Sequence, residues 1–358
     1  MASKETDSPS RTVTVGVVGD AGFASKIAYA IFRALPTEVS IGGDTIAVES
    51  SRPQVTLPPT ATGSAQLAQW CEAIQETNDY DIVLCISEVP RRQGPKPVTA
   101  ELREGTSAAL YVPSFGTVAV QRRVVAMALQ IVHDLLGTDA RPRLRRSMST
   151  WAPGPDAEGR GEQILLTPGA FGRIRLILGM IRCNRPWRLI PTLSGALGAA
   201  SAASAFGVFY ASIWQMAASM TVERLTAVAV AAVTAMSVWL IFPHGLWERR
   251  EFRASTTDRW MYNAATLGTV VSGVLCMYAV LFSVVLMSSA IVISPEFLGR
   301  QLGRDAGAGD YLSLAWLAAS LGTVAGAVGS TVADRHDILD ATYGHRELLR
   351  RKTETAQS

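Results

Sequence analysis

The segment 1–11 lacks an apolar run and is rich in serine and threonine. That predicts no cleavable signal peptide and leaves the domain that follows in the cytoplasm. Cysteine is scarce: Cys71, Cys85, Cys183 and Cys276 are scattered, with no CxxC pair. This argues against a disulfide and against a cysteine zinc site. The four histidines form no ligand pattern, and His133 beside Asp134 has no second ligand nearby, so no metal is expected. No GxSxG, no HExxH and no recognisable His-paired nucleophile occurs, so no catalytic residue is assigned. A net charge of +3 is too small to argue for nucleic acid.

The most informative absence is charge within one half of the chain. Residues 1–188 carry frequent charges, whereas 189–333 hold four long stretches free of Asp, Glu, Lys and Arg: 189–214, 225–242, 264–294 and 311–333. A bilayer core of about 30 Å takes about 20 apolar helical residues, so each stretch passes the length test. The third would run about 46 Å and must tilt or project beyond the lipid. The expectation is an all-α four-helix transmembrane bundle.

Orientation follows from arginine bias. Arg173, Arg175, Arg182, Arg185 and Arg188 precede the first stretch, and Arg249, Arg250, Arg253 and Arg259 lie between the second and third. Arg335, Arg346, Arg350, Arg351 and Lys352 follow the fourth, within the tail 334–358. The remaining two loops hold only Arg224, and Arg300 with Arg304. Both termini are therefore placed in the cytoplasm, in the inner membrane of a cell. Small residues recur every four positions at Gly195, Ala199, Ala203 and Gly207, and again at Ala318, Gly322, Gly326 and Ser330. Such stripes let helix backbones approach closely, within one chain or in a homo-oligomer. Spans without Asp, Glu or His argue against a proton-coupled transporter. A channel lined by Ser272, Ser283, Ser288 and Ser289 stays open as an alternative.

The charged half divides further. Residues 12–137 alternate strand-like and helix-like segments, which predicts a cytosolic α/β domain, Rossmann-like with a mostly parallel sheet. Strands are expected at 12–18, 38–49, 81–86 and 108–112, and helices at 23–35, 64–77 and 117–136. Ligands in such sheets gather at the carboxyl ends of the strands. Three loops meet that description. The first carries Gly19, Asp20, Gly22, Ser25 and Lys26; the second Glu88, Arg91 and Arg92; the third Ser114. A glycine turn opening a helix can hold a phosphate on free N–H groups, and the same glycines serve any tight strand-to-helix turn. Asp20 is expected to cap the helix after it. Residues 138–170, with Arg141, Arg143, Arg145 and Arg146 among Pro and Gly, read as a basic flexible linker. Residues 171–188 mix apolar and basic side chains, as an interfacial helix near anionic headgroups would; a helix packed under the bundle is the other reading.

Asn184-Arg-Pro-Trp-Arg188, His244-Gly-Leu-Trp-Glu248, Tyr262-Asn-Ala-Ala265 and Val18-Gly-Asp-Ala-Gly-Phe23 resemble segments of an uncharacterised family of actinobacterial polytopic membrane proteins. The resemblance implies the same layout, an N-terminal cytosolic α/β domain before the membrane part, and brings no activity. The function expected is a non-enzymatic, membrane-anchored sensor or scaffold whose α/β domain binds a phosphate-containing small ligand or a protein. The alternatives are an enzyme acting on a phosphorylated or lipid-linked substrate, and a channel or transporter. No cofactor is named by the sequence.

Overall fold

The computed structural model describes residues 11–20, 22–41, 44–53, 64–103, 106–137, 150–153, 163–167, 170–188, 191, 194–243, 246–247 and 256–329. Gly42, Gly43, the four arginines of the 138–170 stretch, Ser330 and the tail 334–358 lie outside these residues. The chain forms two compact units, with the boundary in sequence between Cys183 and Asn184.

The first unit runs β1 (Arg11–Gly19), α1 (Phe23–Ala34), β2 (Glu38–Ile41), β3 (Asp44–Ser51), α2 (Ser64–Asn78), β4 (Ile82–Ser87), β5 (Arg92–Gln93), β6 (Lys96–Arg103), β7 (Ser107–Tyr111), α3 (Val120–Leu136), β8 (Thr150–Pro153), β9 (Gln163–Leu166) and α4 (Ala170–Asn184). The strand order is β2-β3-β1-β4-β7-β6-β9-β8, with β5 paired to β6. Only β3, β1, β4 and β7 run parallel to one another; every pairing made by β2, β5, β6, β8 and β9 is antiparallel. The expectation of a mostly parallel, Rossmann-like sheet is thus corrected to a mixed sheet. The physical reason is the short return from β6 to β7, where Thr106 N donates to Arg103 O at 3.1 Å. A tight reversal can join antiparallel strands only, since a parallel pair needs a crossover. The stretch read as a linker then supplies β8 and β9, which extend the antiparallel side.

Alternation along the strands builds two cores. Val13, Val15 and Val17 of β1, with Leu84 and Ile86 of β4, meet α1 (Ala24, Ile27, Ala28, Ile31) and α3 (Val124, Ala128, Ile131). Val83 and Cys85 of β4, with Ala109 and Tyr111 of β7, meet α2 through Leu67, Cys71 and Ile74. A Cβ on Gly16 would stand 2.6 Å from the Tyr80 ring, and one on Gly19 2.7 Å from Ala24 O. These two glycines are therefore used for close approach on opposite faces of β1. On the α2 face Cys71 and Cys85 form a disulfide, their Cα atoms 6.4 Å apart. That overturns the expectation of none: α2 lies across β4, so cysteines 14 positions apart in sequence face each other.

Helix α4 is seated on this unit. Leu176, Gly179, Met180 and Cys183 are buried, and a Cβ on Gly179 would overlap the Pro113 carbonyl. Arg175 Nε donates to Ser114 O at 2.6 Å, and Arg123 Nη1 to Phe115 O at 2.6 Å. Burial, with Arg123 alongside, pulls the Arg175 guanidinium below its ordinary pKa. Arg175 therefore anchors the helix to the turn after β7.

The second unit contains α5 (Ser194–Phe209), α6 (Ala211–Ser219), α7 (Val222–Ile241), α8 (Thr256–Val292), α9 (Pro295–Leu302) and α10 (Ala308–Gly329). Among the described residues three helices, α7, α8 and α10, are long and apolar enough to cross a membrane, and α5 with α6 makes a fourth only as a pair bent by 86°. The bend falls at Tyr210, whose backbone is extended (φ −104°, ψ 113°), and Trp214 Nε1 clips it by donating to Gly207 O at 3.0 Å. Thr221 and Ser294 cap α7 and α9 with their hydroxyls.

Apolar side chains cover the outside of this unit, with Val284, Met287 and Ile291 of α8 50%, 64% and 81% exposed. The interior holds small and hydroxylated residues: Ala196, Ala200, Ser204, Ala318, Ser320 and Thr323 are buried. These lie beside larger buried side chains such as Leu225, Leu281 and Leu314, and an outer surface this apolar is what lipid rather than water stabilises. Tyr278 OH reaches Ser320 Oγ at 2.9 Å, linking α8 to α10. Of the hydroxyls considered for a channel, Ser283 donates to Ala279 O and Ser289 to Leu286 O, within their own helix.

Candidate functional site

The carboxyl ends of β1 and β4 lie side by side, with Gly19 opposite Ile86. The chain leaves β1 through α1 on one face and enters β4 from α2 on the other. Here Asp20, 2% exposed, accepts from Ser87 Oγ at 2.8 Å and from Glu88 N at 3.1 Å. Its carboxylate thus ties two strand ends together and does not cap α1 as expected. The cap comes from across the sheet. Glu88 Oε1 accepts from Phe23 N and from Ala24 N, the latter at 2.8 Å. Gly22, at φ 114°, has a conformation suited to glycine and offers no side chain for the purpose. A carboxylate at a helix N-terminus satisfies unpaired N–H groups and matches the positive end of the helix dipole.

The other candidates separate around this pair. Ser25 accepts from Arg52 Nη2 at 2.9 Å, and Arg52 also stacks over the Tyr29 ring at 5.6 Å. Lys26 is exposed on α1. Ser114 is buried and donates to Val98 O at 2.6 Å, so it braces β6. Arg92 lies in β5, opposite Pro97. Gly19, Asp20, Gly22 and Glu88 therefore share one place, Ser25 pairs with Arg52 instead, and Ser114 serves another contact. Arg52 escapes the sequence reading, although its position just past β3 was available as a signal.

Arg91 belongs to a second cluster on the α2 face. Glu101, 2% exposed, accepts from Tyr111 OH at 2.8 Å and from Arg103 Nε at 3.4 Å, and Arg91 Nε stands 3.7 Å away. Arg103 Nη1 continues to Glu72 Oε1 at 3.3 Å. Burial, and then the charge on Glu101, hold the Tyr111 phenol well above its usual pKa. A charged residue two positions from its partner inside a strand, Glu101 and Arg103, was the only trace of this cluster in the sequence. Among the described residues no group of His, Cys, Asp and Glu could hold a metal ion.

In the helical unit the small residues meet as follows. A Cβ on Gly322 would collide with Ser204 Oγ, one on Gly207 with Ala318 Cβ, and one on Gly326 would stand 2.8 Å from Ala196 O. Ser204 Oγ donates to Ala318 O at 3.0 Å. The α10 stripe of Ala318, Gly322 and Gly326 thus faces α5 of the same chain. On α5 the contacting positions are Ala196, Ala200, Ser204 and Gly207, whereas Gly195 is exposed and Ala199 and Ala203 are half-buried.

No protein-family model, no curated protein and no solved structure matches the chain.

Proposed function

We propose that the chain is a multi-pass protein of the cytoplasmic membrane in which four crossings anchor a non-enzymatic binding module. The module takes a small phosphate-bearing ligand or a protein segment where β1 and β4 end. The observation that carries this reading is the junction of Asp20, Ser87 and Glu88 at the ends of β1 and β4, with Glu88 reaching the first turn of α1, between helices on opposite faces of the sheet. Such a switch point is where crevices open in sheets with parallel strands. A phosphate suits the N–H groups of Phe23 and Ala24, and it enters by taking the place of the Glu88 carboxylate.

Thermal unfolding of the full chain in detergent, screened against nucleotides and phosphorylated metabolites, checks this. A ligand at about 100 times its Kd is expected to stabilise by about 2.7 kcal/mol. Glu88→Gln, which removes the competing charge, is expected to tighten the same ligand. No stabilisation by any compound in either chain would sink the ligand reading.

The four-crossing topology, with both termini inside and α5 with α6 as the bent first crossing, is supported by the contact between α6 and α9. They pack together, Trp214 edge-on to Phe297 at 5.6 Å and Gln215 Nε2 donating to Gln301 O at 3.2 Å. The pairs α5–α7 and α8–α10 therefore turn on the same side, the one with few arginines. The Cys71–Cys85 bond pulls the other way, because disulfides persist in oxidising compartments. We give the arginine bias more weight, since it recurs at three separate stretches of the chain whereas the bond is a single feature. Labelling intact cells with a membrane-impermeant maleimide separates the two. Gly307→Cys is expected to react from outside and Val118→Cys only after lysis; the reverse pattern inverts the topology.

A further inference from the structure

We infer that α4 lies in the surface of the bilayer, with its outward stripe sunk among the acyl chains of an anionic leaflet. The inference rests on reading the helical unit as embedded in membrane. Helix α4 is apolar on two sides. The inward side, Leu176, Gly179, Met180 and Cys183, is spent on the α/β unit. The outward side is not: Phe171, Ile174 and Leu178 are 77%, 55% and 43% exposed. Their spacing of three and four residues sets them on one stripe along the helix, which Ile181 continues. A continuous apolar stripe of this kind is not left in water without a partner to cover it.

Charge and chain length identify that partner. Residues 170–188 contain five arginines and no acidic side chain. Arg173 is exposed on one flank of the stripe, and Arg182, stacked on the Phe23 ring at 5.1 Å, stands on the other. Trp187, 46% exposed, follows directly. An apolar stripe with basic flanks and a neighbouring tryptophan matches an interfacial helix beside anionic headgroups. A second copy of the chain would face the stripe with the same arginines, and like charges in apposition oppose pairing. Helix α4 ends at Asn184 and α5 begins at Ser194. Ten residues span at most about 35 Å, so no more than that length of chain separates the end of α4 from the start of the first crossing. Lipid is the one partner present at that place at all times.

Spin labelling of the full chain tests this in vesicles of equal parts phosphatidylcholine and phosphatidylglycerol. Native Cys276, exposed on α8, is labelled first as the control for membrane embedding. In a Cys276→Ser background, labels then go on Ile174→Cys and Leu178→Cys, with Glu76→Cys on α2 as the water-exposed reference. Collision with oxygen relative to a water-soluble nickel chelate is expected to be several-fold higher at 174 and 178 than at 76. It is expected to fall when phosphatidylglycerol is replaced by phosphatidylcholine. If 174 and 178 match 76 while Cys276 reports lipid, α4 is in water and this inference fails alone. If Cys276 also reports water, the membrane reading fails and takes this one with it. Labels shielded from both reagents would mean that protein covers the stripe, and spin–spin broadening that grows with protein density would identify a second copy; either result overturns the inference.

Discussion

Replacing Glu101 by alanine is expected to destabilise the α/β unit by about 3 kcal/mol, more than any other single change on its surface or in its polar cluster. The carboxylate is 2% exposed and is the acceptor for Tyr111 OH and Arg103 Nε, with Arg91 alongside. Its removal leaves a buried phenol without an acceptor and two arginines without their shared countercharge. An orphaned buried donor costs about 1–3 kcal/mol, and the charges add to that. The arginine side chains are 22% and 11% exposed, so water recovers part of the loss. Glu101→Gln keeps an acceptor for Tyr111 and should fall between the two. For a unit of this size about 3 kcal/mol corresponds to a fall in Tm of roughly 6–12 °C. Tryptophan fluorescence of the full chain in detergent reads it through Trp70 and Trp151; a shift within a degree or two of the native chain would show that Glu101 is not the hub of the cluster.

Gly322→Leu should separate α10 from α5. At Gly322 even a methyl group overlaps Ser204 Oγ and stands 2.5 Å from Ala200 O. A leucine can be seated only by moving the backbones apart, which also breaks the Ser204 to Ala318 hydrogen bond. Overpacking of a tight core costs about 1–3 kcal/mol, and backbone-to-backbone contact places this site at the upper end. Leu321→Ala, at a neighbouring position that is 44% exposed, should be nearly neutral. Size-exclusion profiles after heating in detergent compare the two, and equal survival of both variants would refute the packing described for α5 and α10.

What was legible in the sequence depended on the range of the interaction that fixed it. The apolar helices were readable because each is defined by the local absence of charge. The break between α5 and α6 was not, because Tyr210, Ala211 and Ser212 include neither glycine nor proline, and the kink is held by Trp214 reaching back to Gly207. Strand β6 hid behind Pro97, Glu101 and Arg103, since a charged residue inside a strand reads as solvent-exposed until its buried partner is known. Strands β8 and β9 have four residues each and lie in a stretch rich in Pro, Gly and Arg. The loops at the strand ends were placed by a rule about sheets, but the partner of α1 was beyond reach. Glu88 stands 65 positions from Phe23, and local reasoning assigned its task to Asp20, the nearer carboxylate.

Helix α8 has 37 residues, about 55 Å at the rise of an α-helix, against a hydrocarbon core of about 30 Å. Some 25 Å of it must stand outside the acyl chains when it is upright. A helix accommodates changes in bilayer thickness by tilting, so that overhang acts as a lever arm. A tilt of about 10° swings its free end sideways by about 4 Å, close to the thickness of one β-strand spacing. In a chain that crosses the bilayer as proposed, a change in bilayer thickness would therefore move a projecting end of α8 sideways.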